Sequence, residues 1–242
     1  MTQSEASEPA LRLAAVRARI AAACTEAGRD PREIVVVAVS KGMPAMRVAE
    51  MLALGVADIG ENKAQEAAAK AAEVTATFPE LTARWHFIGQ LQRNKARVVA
   101  SFASIVHSVD RAALITALDR GCDRRRDPLD VLVQLDLDPT PDPKRGGARP
   151  EDLPALANQI LVAEHLRLRG VMTVAPPGSD ARKSFDRLVG YSESLQAIQP
   201  SATVISAGMS GDLEAAISAG ATHVRVGTAL FGARKLASEH RT

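Results

Sequence analysis

Apolar positions along the chain fall into two alternating patterns. Short runs rich in Val and Ile occupy residues 34–40, 56–60, 84–89, 105–109, 130–137, 168–174, 203–207 and 222–227, and longer Ala/Leu segments of helical period lie between them. The short runs suit buried strands, whereas apolar residues spaced by three and four suit helices packed on them. This alternation predicts βα units around a parallel sheet. Helices are expected at 45–54, 63–77, 91–100, 111–121, 151–164, 181–199, 211–219 and 229–236, with an extra one at 11–27 ahead of the first strand. Eight units within 242 residues match a (β/α)8 TIM barrel, since an open doubly wound sheet normally carries fewer strands. The reading is a single α/β barrel domain over 1–242, with its core at about 34–234.

Helix punctuation supports these boundaries. Pro44 stands where a first-turn proline is tolerated, Asp110 is placed to cap the helix at 111–121, and Pro150 precedes Glu151 and Asp152. Gly55 and Gly220 stand where helices should stop. One irregular stretch, 138–149, holds three prolines and two glycines between the fifth strand and its helix. It reads either as a lid over the barrel mouth or as a mobile surface loop.

Composition narrows the function classes. Lys plus Arg exceed Asp plus Glu by only 30 to 28, so no strong field directs the protein to nucleic acid or an anionic membrane. Arg124, Arg125 and Arg126 form the one tight basic run and, flanked by Asp123 and Asp127, read as a solvated surface. Aromatics at 3% leave no stacking platform for single strands. Cys24 and Cys122 lie in Ala-rich helical patterns, so no disulfide is expected and a reduced cytoplasmic setting is. The start of the chain lacks signal-peptide order, and no apolar run approaches the roughly 18 residues of a membrane span.

Chemistry should gather at the C-terminal ends of the strands. There the sequence places Ser40-Lys41, Gly60-Glu61-Asn62, Ser206-Ala207-Gly208-Met209-Ser210 and Arg225-Val226-Gly227-Thr228. Lys41 is the candidate covalent residue: a lysine amine attacks an aldehyde only when neutral, so burial by the barrel walls and the nearby Arg225 are expected to lower its pKa from about 10.4. Gly208 and Gly227 permit close backbone approach, and Ser206, Ser210 and Thr228 offer hydroxyl donors. With the helix starts that follow, they can cradle a dianion. The competing reading is that these glycines and serines only make tight βα turns. An amine facing a phosphate cradle is what pyridoxal 5'-phosphate (PLP) requires. Arg225 can donate to a ring nitrogen or a phosphate. Asn62 can bond the ring hydroxyl or a substrate, with Glu61 pairing instead with a basic partner inside the barrel. His86 and His107 read as satisfied core or strand-end histidines rather than acids or bases. No spacing suggests zinc or a nucleophilic triad.

The segments Ala38-Val39-Ser40-Lys41, Ile59-Gly60-Glu61-Asn62, Trp85-His86-Phe87-Ile88-Gly89 with Gln92-Arg93-Asn94-Lys95, His107-Ser108-Val109-Asp110, and Gly208-Met209-Ser210 with 224–234 resemble the pyridoxal phosphate homeostasis protein family. The resemblance runs from about 34 to 234 with the motifs in family order. It implies a fold-type III PLP-binding barrel similar to the N-terminal domain of alanine racemase, holding PLP as a Schiff base on Lys41. It also implies Arg225 facing the pyridine nitrogen, Ser206, Ser210, Gly227 and Thr228 holding phosphate, and Asn62 beside the ring. The family is regarded as a carrier or regulator of the intracellular vitamin B6 pool, with PLP-dependent apoenzymes as transient acceptors. Gly42-Met43, Lys63 and Ala207 depart from usual family residues, while Lys144 and Gly146 keep a family-like pattern in the 138–149 loop.

A carrier needs one lysine and a phosphate cradle. The alternative, a PLP-dependent racemase-like enzyme, needs an acid or base on each face of the substrate carbon. Tyr191, the one tyrosine, falls in an expected outer helix, which favours the carrier. A third possibility, an aldolase, would use Lys41 without a bound ring. Without the second domain of alanine racemase, the expected state is a monomer.

Overall fold

The computed structural model describes residues 7–138, 140, 145–176, 178 and 180–232. Its strands are β1 (Val35–Val39), β2 (Asp58–Glu61), β3 (Arg84–Phe87), β4 (Ile105–Val109), β5 (Leu129–Gln134), β6 (Leu166–Met172), β7 (Val204–Ser206) and β8 (His223–Val226). They are parallel and close into a barrel in chain order, β8 pairing back onto β1 with Val37 beside Arg225. Helix α1 (Glu8–Glu26) comes first. Then α2 (Ala45–Ala53), α3 (Ala64–Thr77), α4 (Ala96–Phe102), α5 (Ala112–Gly121), α6 (Leu153–Leu161), α7 (Ala181–Ile198), α8 (Leu213–Ala219) and α9 (Thr228–Phe231) each follow a strand. The predicted (β/α)8 barrel with an added N-terminal helix is therefore the fold.

Several boundaries differ for local reasons. The first turn expected of α4 is a 3-10 turn at Arg93–Lys95, so the α-helix begins at Ala96. Asp110 does not cap α5: Arg111 occupies the cap position, and the Asp110 carboxylate is bonded by the Arg111 guanidinium. Helix α8 begins at Leu213 because Met209–Asp212 forms a closed turn, the Met209 N–H donating to Asp212 Oδ1 and the Asp212 N–H to Met209 O. Gly55 and Gly220 take positive φ where α2 and α8 end, as expected. The last predicted helix reduces to α9, and its expected residues 233–236 lie outside the described residues.

The outward faces of the strands carry the apolar core. One layer joins Val16 and Ile20 of α1 and Met51 of α2 to Ala38, Ile59, Val224 and Val226, all buried. A larger layer packs Leu114 and Leu118 of α5 and Leu188 of α7 against Val106, Val131 and Val133. Each of the Val, Ile, Leu and Met side chains among these contributes about 1.5–3 kcal/mol by leaving water. Inside the barrel, Ile105, Leu132, Met172 and Val204 form a small apolar cluster; much of the remaining interior is polar.

In the Pro-rich stretch, Lys144 lies outside the described residues. The limb that returns from it is tied down: Ala148 pairs with Leu135, Gln134 donates to Gly146 O at 2.7 Å, and Arg145 donates to Val174 O at 2.8 Å. Cys24 and Cys122 are buried and unbridged.

Candidate functional site at the barrel mouth

Lys41 stands one residue past Ser40, where β1 leaves the ladder. The turn is gripped from behind by α3. Lys70 Nζ donates to Ser40 O at 2.9 Å, and Glu66 Oε1 accepts from the Gly42 N–H at 2.9 Å, so the backbone is held on both sides of Lys41. Lys70 is itself buried and pairs at 2.5 Å with the fully buried Glu61, whose same oxygen accepts from Ser40 Oγ at 2.7 Å. Glu61 therefore finds its basic partner outside the barrel, between β2 and α3, and not within it as expected. Lys70 was legible in principle: in an Ala-rich helix it shares the face of Ala67, Ala71 and Val74, all buried.

Lys41 itself is exposed, so the barrel walls do not desolvate it as anticipated. It lines a cavity of about 270 Å³ together with Val39, Met43, Ile88, Ser210, Gly211, Arg225, Gly227, Thr228 and Phe231. Arg225 is buried at its base. One guanidinium nitrogen donates to Ser206 Oγ at 2.7 Å and another to Thr173 O at 2.8 Å. Both acceptors are neutral, and burial lowers the guanidinium to about 10, a drop that the charge of Asp212 only partly offsets. A buried cation with no bonded carboxylate is costly unless a ligand supplies further acceptors.

The opposite wall presents backbone donors. The N–H groups of Ser210, Gly211 and Gly227 make no hydrogen bond within the described protein, and Thr228 heads α9, where the Leu230 and Phe231 N–H groups bond back to Gly227 O and those of Thr228 and Ala229 lack intrahelical acceptors. Gly208 is required here. Its φ of +85° favours glycine, and a Cβ would lie 2.6 Å from that of Ala216, so only glycine lets this turn settle on α8. From outside, Arg19 of α1 donates to Ser210 O at 2.9 Å while pairing with Glu214 at 2.6 Å. The added N-terminal helix thus braces the cradle, a role its amphipathic pattern did not announce.

Of the seven predicted site residues, Lys41, Ser210, Arg225, Gly227 and Thr228 meet in this cavity. Ser206 does not. It is fully buried, and its hydroxyl lies between Arg225 and His107 Nδ1 (2.9 Å), which leaves no path to a phosphate. Asn62 is half-buried at the end of β2 and outside the cavity lining. Its backbone lies so close to Gly89 that a Cβ there would sit 2.2 Å from Asn62 O.

Sequence reading also did not foresee that His86 and His107 bond each other. His107 Nε2 and His86 Nδ1 are 2.8 Å apart, and His86 Nε2 lies 2.8 Å from Asp58 Oδ1, whose second oxygen accepts from Arg84 at 2.6 Å. Burial, then the charges of His86, Arg225 and His223, hold the His107 pKa well below the usual histidine value. For Asp58, burial acts upward, but the hydrogen bonds from His86 and Arg84 outweigh it and lower the carboxyl below its ordinary range.

Residues 11–235 match the family described as alanine racemase, N-terminal domain. A pyridoxal phosphate homeostasis protein of Pseudomonas aeruginosa is 42% identical over 222 residues, covering 92% of this chain and 94% of the relative. One from Escherichia coli K12 is 39% identical over 228 residues, covering 92% and 95%. Among solved structures, PipY of Synechococcus elongatus with PLP bound superposes with a TM-score of 0.79 at 36% identity, covering 93% of this chain and all of that one. Alanine racemase from Corynebacterium glutamicum, at 15% identity and a TM-score of 0.61, shares the fold over 62% of its length.

Proposed function

The chain belongs to the pyridoxal phosphate homeostasis protein family, built on the barrel of the alanine racemase N-terminal domain, and from that premise we propose that it binds PLP at the barrel mouth through Lys41 and takes part in intracellular PLP homeostasis. The supporting observation is that one cavity holds an amine, an arginine that among the described residues is bonded only to neutral acceptors, and a row of backbone N–H groups with no acceptor among those residues. These match three of the polar groups of PLP: aldehyde, ring nitrogen and phosphate.

Lys41 supplies the covalent anchor. Ser210, Gly227 and Thr228, with the N–H of Gly211, hold the phosphate dianion through backbone and hydroxyl donors. Arg225 donates to the ring nitrogen and, as a cation at neutral pH, keeps a proton off it. Asn62 acts from the edge of the ring. When bound, PLP supplies an aldehyde that condenses reversibly with amines and a ring that draws off electrons, more weakly against an arginine than against a carboxylate. Ser206 holds Arg225 rather than the phosphate.

This equipment suits a carrier. The exposed Lys41 is reachable by an incoming amine, so release to PLP-dependent apoenzymes as transient acceptors follows, with the protein acting as a monomer. Tyr191 lies in α7 and outside the cavity lining, so the second base of a racemase-like enzyme has no tyrosine to draw on. The tests are borohydride reduction of the yellow protein followed by peptide mapping and, on separate unreduced protein, incubation with pure L-alanine. The expected result is label on Lys41 and no racemisation. Label on another lysine, label retained by Lys41→Ala, or conversion to D-alanine would overturn the assignment.

A further inference from the structure

Barrel interiors are normally filled by layers of branched apolar side chains. Here part of that space is given to a continuous hydrogen-bonded file. It starts at Arg84 and Asp58 on the N-terminal rim and passes through His86, His107 and Ser206 to Arg225 at the mouth. His107 and Ser206 have no exposure at all, and Asp58, His86 and Arg225 are buried as well. Polar groups so placed are tolerated only if each finds a partner, and with both rings neutral the chemistry of the two ends allows one consistent assignment.

Asp58 accepts from Arg84 on one oxygen and faces His86 Nε2 with the other, so it is an ionised, accept-only terminus. His86 Nε2 therefore carries hydrogen, which in a neutral ring leaves Nδ1 as an acceptor. His107 Nε2 must then donate to it across 2.8 Å, leaving His107 Nδ1 as an acceptor for the hydroxyl hydrogen of Ser206. Ser206 Oγ in turn accepts from Arg225, which can only donate. Every link points from mouth to floor. Reversing the file would need either a proton on Asp58, against the Arg84 cation at 2.6 Å, or a second proton on His86.

We propose that Asp58, His86 and His107 are positioning residues for the PLP site: by fixing the direction of the file they keep Ser206 Oγ as an oriented acceptor for Arg225, and so hold the guanidinium in the plane from which it meets the ring nitrogen. The proposal rests on the reading that PLP lies against Arg225. The carboxylate at the barrel floor thereby influences a ligand at the opposite end. Losing it frees both rings to reverse, turns the Ser206 hydrogen away from His107 and loosens the hold on Arg225. The charged and titratable groups facing the two rings are Asp58, Arg84, Arg225 and His223, the last with ring centroids 6.2 and 6.5 Å from those of His86 and His107.

His223 supplies the internal control. It lies beside the file, yet its ring bonds Thr222 Oγ1 at 2.9 Å and takes no part in the relay. The experiment compares the full-length PLP-loaded protein with Asp58→Asn, His107→Gln and His223→Gln, reading the visible band of the bound cofactor across pH, the PLP dissociation constant and the thermal midpoint. Asp58→Asn and His107→Gln are expected to shift the pH profile of the band and to weaken PLP binding about tenfold, on the scale of one charge-assisted hydrogen bond. His223→Gln should leave band and affinity unchanged. Folded Asp58→Asn and His107→Gln proteins with wild-type spectra and affinities would overturn the proposal, as would an equal shift from His223→Gln. Should the variants unfold, histidine 15N spectra of the wild type decide: both rings should carry hydrogen on Nε2 and none on Nδ1, and an Nδ1 proton on either sinks the idea. Wild-type protein that takes up no PLP fails differently, removing the underlying reading and this proposal with it.

Discussion

Replacing Lys70 by methionine keeps most of its buried stem but deletes the charge opposite Glu61. Glu61 is fully buried and Lys70 only 5% exposed, with 2.5 Å between Nζ and Oε1. The second Glu61 oxygen already lacks a partner, so in Lys70→Met the carboxylate keeps a single donor, Ser40 Oγ. Leaving one member of a buried pair uncompensated costs about 3–5 kcal/mol. For a chain of this size that corresponds to roughly 6–20 °C in thermal midpoint. The double variant Lys70→Met/Glu61→Gln removes both charges and retains an amide oxygen for Ser40, so it should recover more than half of the loss. Urea unfolding followed by circular dichroism measures wild type, the double variant and both single variants, Lys70→Met and Glu61→Gln, and the double-mutant cycle isolates the coupling, expected at about 1–3 kcal/mol. A single variant within about 1 kcal/mol of wild type would refute the view that this pair is a buried, mutually dependent unit. Because Lys70 also donates to Ser40 O, borohydride trapping at Lys41 should slow in parallel with the stability loss.

Acid should destabilise the protein early. His107 is held well below the usual histidine value and His223 at about 4, in both cases mainly by burial. The unfolded chain thus binds protons that the native state refuses, and stability present above about pH 6.5 is lost as pH falls. His223 alone should remove about 2 kcal/mol by about pH 5, and equal urea midpoints at the two pH values would contradict this. Gly89→Ala must displace Asn62 or β3, since its Cβ would meet Asn62 O at 2.2 Å; a loss of about 1–3 kcal/mol and weaker PLP binding are expected, checked by thermal melts and cofactor titration. Arg19→Ala frees Ser210 O and Glu214; the expected outcome is about fivefold weaker PLP binding with little change in melting, and unchanged affinity would show that α1 does not brace the cradle.

Much of the site was legible before any coordinates. Lys41, Ser210, Arg225, Gly227 and Thr228 could be grouped because they follow strand-like runs, and in a parallel barrel every strand ends at the same rim. The errors have one physical source. Ser206 and Ser210 look equivalent in Ser206-Ala207-Gly208-Met209-Ser210, but Ser206 is the last ladder residue of β7 and faces inward, whereas Ser210 lies beyond the turn and faces the cavity. Asp110 looked like a cap because its position and residue type suit one, yet Arg111 took up its charge.

The sequence by itself determined the barrel, because periodicity, β-branched runs and helix stops are local properties that strand pairing then has to satisfy. It determined as well which residues would share the rim where the strands end. Only the tertiary structure decided that Lys70 reaches Glu61 behind Lys41, that α1 supports the Ser210 turn, and that Asp58, His86, His107, Ser206 and Arg225 form one file. These are contacts between residues up to 195 positions apart, set by how closed strands and packed helices bring side chains together, and no spacing within a single segment encodes them.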